Sequence, residues 1–336
     1  LGPFEGATVR IGPSGRITLR SGAAPQGQGH VTTMAQICAE KFGVGVEDIT
    51  VELAGTEKIA NGVGTFASRI AANAGPSVHL ASIEVRDKAL RIAAHMLEAA
   101  EQDLEIADGR VTVRGVKELS VTLGEIAGAV AGTPGYALPG GIAPGLEATH
   151  YFAPAQSTYC NGTHVVEVEV DAETGGVTIL RYVAAHDAGM LINPLIVDGQ
   201  VQGGVAHGVG NALFELMHYD DDANPLSTTL AEYLMPGAND VPDAEKIHIE
   251  SPTPLNPLGV KGCGEGGTIP AAAAIVAAIE NALEPFGVHL TDVPATPARI
   301  VAAIADVGVS FMILAPSTSD FEEQVHRLAT DVLPHI

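Results

Sequence analysis

Alternating apolar and polar residues mark the first element of the chain. Residues 7–11 (Ala-Thr-Val-Arg-Ile) and 16–20 (Arg-Ile-Thr-Leu-Arg) carry apolar side chains at alternate positions, with Gly12-Pro-Ser-Gly15 between them. Successive side chains of a strand point to opposite faces, so the pattern predicts a hairpin with one buried face. A Gly-Gln loop follows, and a helical rhythm is predicted over 31–42. Much the same order returns later. Residues 164–170 and 177–183 flank Asp171-Ala-Glu-Thr-Gly-Gly176, a loop follows, and Gly199-Gln200 stands near the start of a helical stretch. Strand, turn, strand, loop and Gln-bearing helix thus occur twice, the mark of an internal repeat. Two related lobes of this kind can clasp one ligand between them, although duplicated packing without a ligand gives the same pattern.

Between the repeats, residues 67–101 read as a long helical region broken near Gly75-Pro76, where proline removes a backbone donor. Residues 104–113 predict a second hairpin turning at Asp108-Gly109. A helix is expected over 119–130, and an Ala-rich helix over 270–283. The run 133–148 is rich in proline and glycine and is the expected linker. The resulting division is a first lobe over 1–150, a second over 151–305 and a divergent tail over 306–336. In the tail, Phe311-Met-Ile-Leu314 predicts a short strand, and Phe321, Val325, Leu328 and Val332 share one helical face. Strands and helices mix without βαβ regularity, so the predicted class is α+β.

Composition narrows the functions. The 336 residues are 46% hydrophobic, enough for a sizeable core, yet only 4% aromatic with no tryptophan. Forty acidic against seventeen basic residues give a net charge of −23. Such a surface repels nucleic acid and anionic membrane, and no basic patch offsets it. Cys38, Cys160 and Cys263 show no CxxC spacing, so neither a disulfide framework nor a cluster is indicated, and a reducing cytoplasm fits. No signal peptide or apolar run of ~18 residues is found. Histidines lack metal-ligand spacing, so no protein-ligated metal is assigned. There is no dinucleotide fingerprint, P-loop or nucleophile elbow.

The run Gly259-Val-Lys-Gly-Cys-Gly-Glu-Gly-Gly-Thr268 is the richest in chemistry. Five glycines in ten residues surround one carboxylate, Glu265, just ahead of the Ala-rich helix. Glycine permits tight bends and close approach to a ligand, so a catalytic base suits this loop. A solvated glutamate offsetting the helix dipole accounts for it equally well. Other loops carry Gln28, His30, Thr32, Thr65, Ser68, Arg69, Asn161 and Gln200, polar groups able to hold an anion beside glycine amides. Taken singly, each is explained by a local turn bond.

Together these loops resemble the molybdenum hydroxylases: xanthine dehydrogenase, aldehyde oxidoreductase and the large subunit of aerobic carbon monoxide dehydrogenase. The resemblance rests on Pro25-Gln-Gly-Gln-Gly-His-Val-Thr32, Gly62-Val-Gly-Thr-Phe-Ala-Ser-Arg69, Asp187-Ala-Gly-Met-Leu-Ile-Asn-Pro194 with Gly199-Gln-Val-Gln-Gly-Gly204, and the Gly-x-Gly-Glu turn that follows Leu255-Asn-Pro-Leu-Gly-Val-Lys261. It runs in order from residue 1 to about 304 and covers the C-terminal half of the family's molybdenum subunit. It implies two related lobes of a molybdopterin-binding domain. Cofactor contacts are implied at Gln28, Gly29, His30, Thr32, Gly64, Thr65, Ser68, Arg69, Asn161, Gln200, Lys261, Gly262 and Gly264. Glu265 is implied as the base, buried in a dry loop, for adding water-derived oxygen to an aldehyde, an N-heterocycle or CO. The implied cofactor is molybdenum-molybdopterin, in bacteria usually the cytosine dinucleotide form. Iron–sulfur and FAD subunits, and the first half of the molybdenum subunit, are the implied partners. A second expectation stays open: a split or fragmentary chain acting as a non-catalytic assembly module.

Overall fold

Strands β1 (Glu5–Ile11) and β2 (Ile17–Ser21) form the predicted hairpin, paired antiparallel from Ala7↔Ser21 to Ile11↔Ile17. Ala7, Val9, Ile11, Ile17 and Leu19 are buried, as the alternation requires. The computed structural model describes residues 4–307 apart from 54, 133, 135 and 136. The strand and helical face expected in the tail lie outside the described residues.

Helix α1 (His30–Phe42) follows the Gly-Gln loop, and strand β3 (Ile49–Leu53) then pairs parallel with β2. Helix α2 (Ile70–Met96) lies across β1. Its buried stripe Ala74, Val78, Ala81, Val85, Ala89 and Ile92 keeps a helical period. The expected break at Gly75-Pro76 is absent, because Pro76 sits inside a buried, packed face. Burial against the sheet, with the Ser77 hydroxyl donating to the carbonyls of Glu5 (2.7 Å) and Asn73 (3.1 Å), outweighs a cost of ~3 kcal/mol.

Strands β4 (Leu104–Ala107), β5 (Arg110–Val113) and β6 (Val116–Thr122) form a separate antiparallel sheet. The helix expected over 119–130 begins only at Leu123, as α3 (Leu123–Val130). Thr122 and Glu125 form a capping box there, which ends the strand and starts the helix. The expected linker ends in strand β7 (Leu146–Phe152), which pairs antiparallel with β1 and completes the sheet β3-β2-β1-β7.

The second copy repeats the first. Strands β8 (Asn161–Val170) and β9 (Val177–Asp187) form a hairpin, helix α4 (Pro194–Val209) follows, and strand β10 (Glu245–His248) pairs parallel with β9. Helix α5 (Ala271–Ala282) packs on β8 as α2 packs on β1. Helix α6 (Pro297–Asp306) closes the described chain. Each copy has its own apolar core, one around Phe42, Val85 and Ile92, the other around Tyr182, Ile275 and Ile300. The fold is α+β with two related lobes.

Candidate active site

The acid loop is held from both ends. The Asn256 side chain donates to the Val260 carbonyl (2.8 Å) and accepts from the amides of Leu258 (3.1 Å) and Val260 (3.2 Å). Lys261 Nζ reaches Asp187 Oδ2 at 2.7 Å, and both side chains are largely buried. Burial alone would raise the Asp187 pKa, but hydrogen bonds from Lys261 and the amides of Gly189 and Ser251 outweigh it and hold the carboxyl at about 2. A turn over 263–266 closes with the Gly266 amide on the Cys263 carbonyl (3.1 Å), and Glu265 stands on it. Helix α4 comes so close that a Cβ on Gly204 would lie 2.6 Å from Gly267 Cα.

A second loop, residues 62–69, meets this turn. Glu5 Oε1 accepts from the amides of Val63 (3.0 Å) and Gly64 (2.7 Å) and from Arg69 Nη1 (2.6 Å). Arg69 also donates to the carbonyls of Gly64 (2.7 Å) and Phe4 (2.6 Å). Arg69 therefore ties down the loop with its guanidinium, beyond the cofactor contact expected of it. Ser68 closes the junction: its hydroxyl accepts from the Glu265 amide (2.9 Å) and donates to Glu265 Oε2 (2.7 Å). A Cβ on Gly262 would collide with the Ser68 carbonyl, so only glycine allows the two loops this close.

These loops and helices enclose a cavity of ≈ 620 Å³. Of the residues expected from sequence, Gln28, His30, Thr65, Ser68, Arg69, Gln200, Lys261, Gly264 and Glu265 line it. Gly29, Gly64 and Gly262 do not line it; each is the chain neighbour of a residue that does, and the first two stand at φ 73° and 104°. Thr32 is exposed, because the inward face of α1 runs through His30, Thr33, Met34 and Ile37. Asn161 is exposed at the start of β8, opposite Asp187, and does not line the cavity. Glu265 is itself exposed, contrary to the expected dry carboxylate, since flanking Gly264 and Gly266 have no side chains to cover it. Sequence reading missed Glu5, and of the α4 stripe Ile196, Gln200, Gly203, Gly204 and His207 it named only Gln200 as a contact, although the spacing of three and four was an available signal.

Beneath the acid turn lies a polar row in which Tyr182 and His186 are buried and His164 is half-buried. Tyr182 Oη is 2.7 Å from His164 Nδ1, and His164 Nε2 is 2.8 Å from His186 Nε2. A Cβ on Gly266 would stand 3.0 Å from the His186 ring, so the row is the floor of the turn. Burial, then neighbouring His186, pushes His164 down to about 4, and burial also lowers His186. Burial pushes the Cys263 thiol up to about 11, which keeps it protonated and suits a packing role.

The cavity fits a large, polyanionic cofactor. Helices α1 and α2 both start on it without a side-chain cap, which leaves first-turn amides available to an anion. The buried Nδ1 of His30 has no partner among the described residues. Helix α4 differs: the Asn193 side chain caps it by accepting from the Ile196 amide (3.2 Å).

Duplicated lobes around a glycine-lined cleft, with one carboxylate on a turn, define a cofactor-binding module. Comparison gives the family. The chain belongs to the molybdopterin cofactor-binding domain family, whose model matches residues 1–242. It is 40% identical over 297 residues to the nicotine 6-hydroxylase large subunit of Paenarthrobacter nicotinovorans, covering 88% of this chain and 36% of that one. Among solved structures it resembles quinoline 2-oxidoreductase from Pseudomonas putida 86 (TM-score 0.82, 40% identity, 91% of this chain and 39% of that one). It also resembles CO dehydrogenase from Oligotropha carboxidovorans (TM-score 0.83, 33% identity, 92% and 38%). The chain therefore spans less than two-fifths of the length of these relatives.

Proposed function

We propose that this chain is the cofactor-binding C-terminal half of the molybdenum subunit of a hydroxylase acting on a small molecule, with Glu265 as general base. The lobes over 1–150 and 151–305 hold a molybdenum-molybdopterin, in the cytosine dinucleotide form, between them. When bound, that group supplies two-electron oxidation with water-derived oxygen. Backbone amides at the starts of α1 and α2, with Gln28, Thr65 and Gln200, bind and orient it. Lys261, neutralised by Asp187, holds the acid loop, and Glu265 accepts a proton at Oε1 while Ser68 occupies Oε2. The first half of the molybdenum subunit completes the cleft and excludes water, and iron–sulfur and FAD partners take the electrons. Similarity at 40% identity to proteins named for nicotine and quinoline supports N-heterocycles as the substrate class, with CO and aldehydes as the alternatives.

The junction of Glu265 with Ser68 on the cavity wall carries this reading. Two measurements on the assembled complex test it together. Elemental analysis is expected to find molybdenum. Glu265→Gln is expected to keep that molybdenum while turnover falls ~10²-fold or more, the usual contribution of a general base. A complex without molybdenum, from cells able to make the cofactor, would refute the cofactor reading. A fully loaded Gln variant with a normal rate would remove Glu265 from the chemistry.

A further inference from the structure

Ala67 and Ser68 both adopt the left-handed backbone region, at φ 49° and 51°. Neither is a residue type that tolerates it, and two in succession persist only where the surroundings enforce them. Three contacts enforce them here. Arg69, the next residue, is fixed by its buried pairing with Glu5. The Ser68 carbonyl lies against Gly262, where any side chain would collide. The Ser68 hydroxyl is engaged twice, by the amide and by the carboxylate of Glu265.

That double engagement is unusual in its economy: one hydroxyl fixes both the backbone and the side chain of the same residue, 197 positions away. A glutamate flanked by glycines has no packing of its own to choose a rotamer. Held at Oε2, its carboxylate loses that freedom, and Oε1 has no protein partner among the described residues. We propose that Ser68 is a positioning residue for Glu265, and that the left-handed turn at Ala67-Ser68 exists to deliver its hydroxyl to the acid loop. This goes beyond the cofactor contact implied for Ser68, and it rests on Glu265 being the base.

Ser68→Gly is the decisive variant, because glycine adopts the left-handed backbone freely and the hydroxymethyl group is lost without added strain. Ser68→Ala serves as the second variant, with the strain retained. Both are measured in the assembled holoenzyme with quinoline, benzaldehyde and CO as parallel probes, alone and combined with Glu265→Gln. The expected result for each is a drop in kcat of about 10-fold, the scale of one hydrogen bond to a charged group. KM and molybdenum content should stay unchanged, and no further loss beyond about 2-fold is expected once Glu265 is already Gln. Amide exchange at Glu265 should rise in Ser68→Gly, a readout independent of turnover. Unchanged exchange would overturn the clamp even if Glu265 proves to be the base. Loss of molybdenum would show a cofactor contact instead, and a full multiplicative loss on the Gln background would show that Ser68 acts by another route. Raised exchange with Glu265→Gln at full rate would leave the clamp standing and refute its catalytic purpose.

Discussion

Glu5 and Arg69 meet at 2.6 Å in the interior of the first lobe, with both side chains almost fully withdrawn from water. The pair joins the first strand to the start of α2 and, through the Val63 and Gly64 amides, fixes the loop that ends at Ser68. Its removal is therefore felt at the site as well as in the core. Breaking a buried pair by neutralising one partner strands the other charge, at ~3–5 kcal/mol. Glu5→Gln is expected to lose that much stability in urea unfolding. Combining it with Arg69→Met should recover much of the loss. A single variant within 1 kcal/mol of the parent would show that the pair is not structural.

The Lys261–Asp187 pair makes a pH-dependent prediction. The folded carboxyl sits at about 2, below its ordinary value of 3.8. A depressed acid contributes stability that is present above its ordinary pKa and is lost as pH falls through the folded value. Because the Gly189 and Ser251 amides share in holding the carboxyl down, Lys261→Met should cost part of that stability at neutral pH, at most about 2 kcal/mol, and little at pH 2. Urea unfolding at both pH values checks this, and an equal loss at each would contradict it.

What the sequence revealed, and what it hid, divides along physical lines. The hairpin over 7–20 was legible because alternation is local, and so was the repeat. Glu5 was hidden, because a lone acid in an apolar strand reads as an edge or an exception until its partner at Arg69 is known. Helix α2 runs through Pro76 because sheet packing overrides a local penalty. Thr32 is exposed while Thr33 lines the cavity, because the helical phase of α1 is set by its packing on α2 and β3, beyond the reach of a motif. Nothing in the dipeptide Ala67-Ser68 announces a left-handed turn, since that conformation is imposed by Gly262 and Glu265 from the other lobe.

His164, at the centre of the histidine row, should remain neutral below the usual histidine range. His164 is held near 4, chiefly by burial. For a histidine with a lowered pKa, the stability gained from the neutral form is present above about 6.5 and is lost as pH falls toward the folded value. Nitrogen chemical shifts of His164 at pH 5.5 are expected to be those of a neutral imidazole. A titration midpoint above 6 would show that burial does not control His164 in the Tyr182–His164–His186 row.

The two copies of the repeat begin their first helices differently: α4 opens on an Asn193 cap, whereas α1 opens on Gly29 with no side-chain cap. A capped helix completes its first turn from its own sequence. An uncapped one leaves its first-turn amides to water or to a guest, and a guest that supplies their acceptors adds its binding energy to the stability of the fold. On the proposed function, the cofactor that fills the cleft also adds stability to the start of α1, a dependence that Asn193 removes from α4.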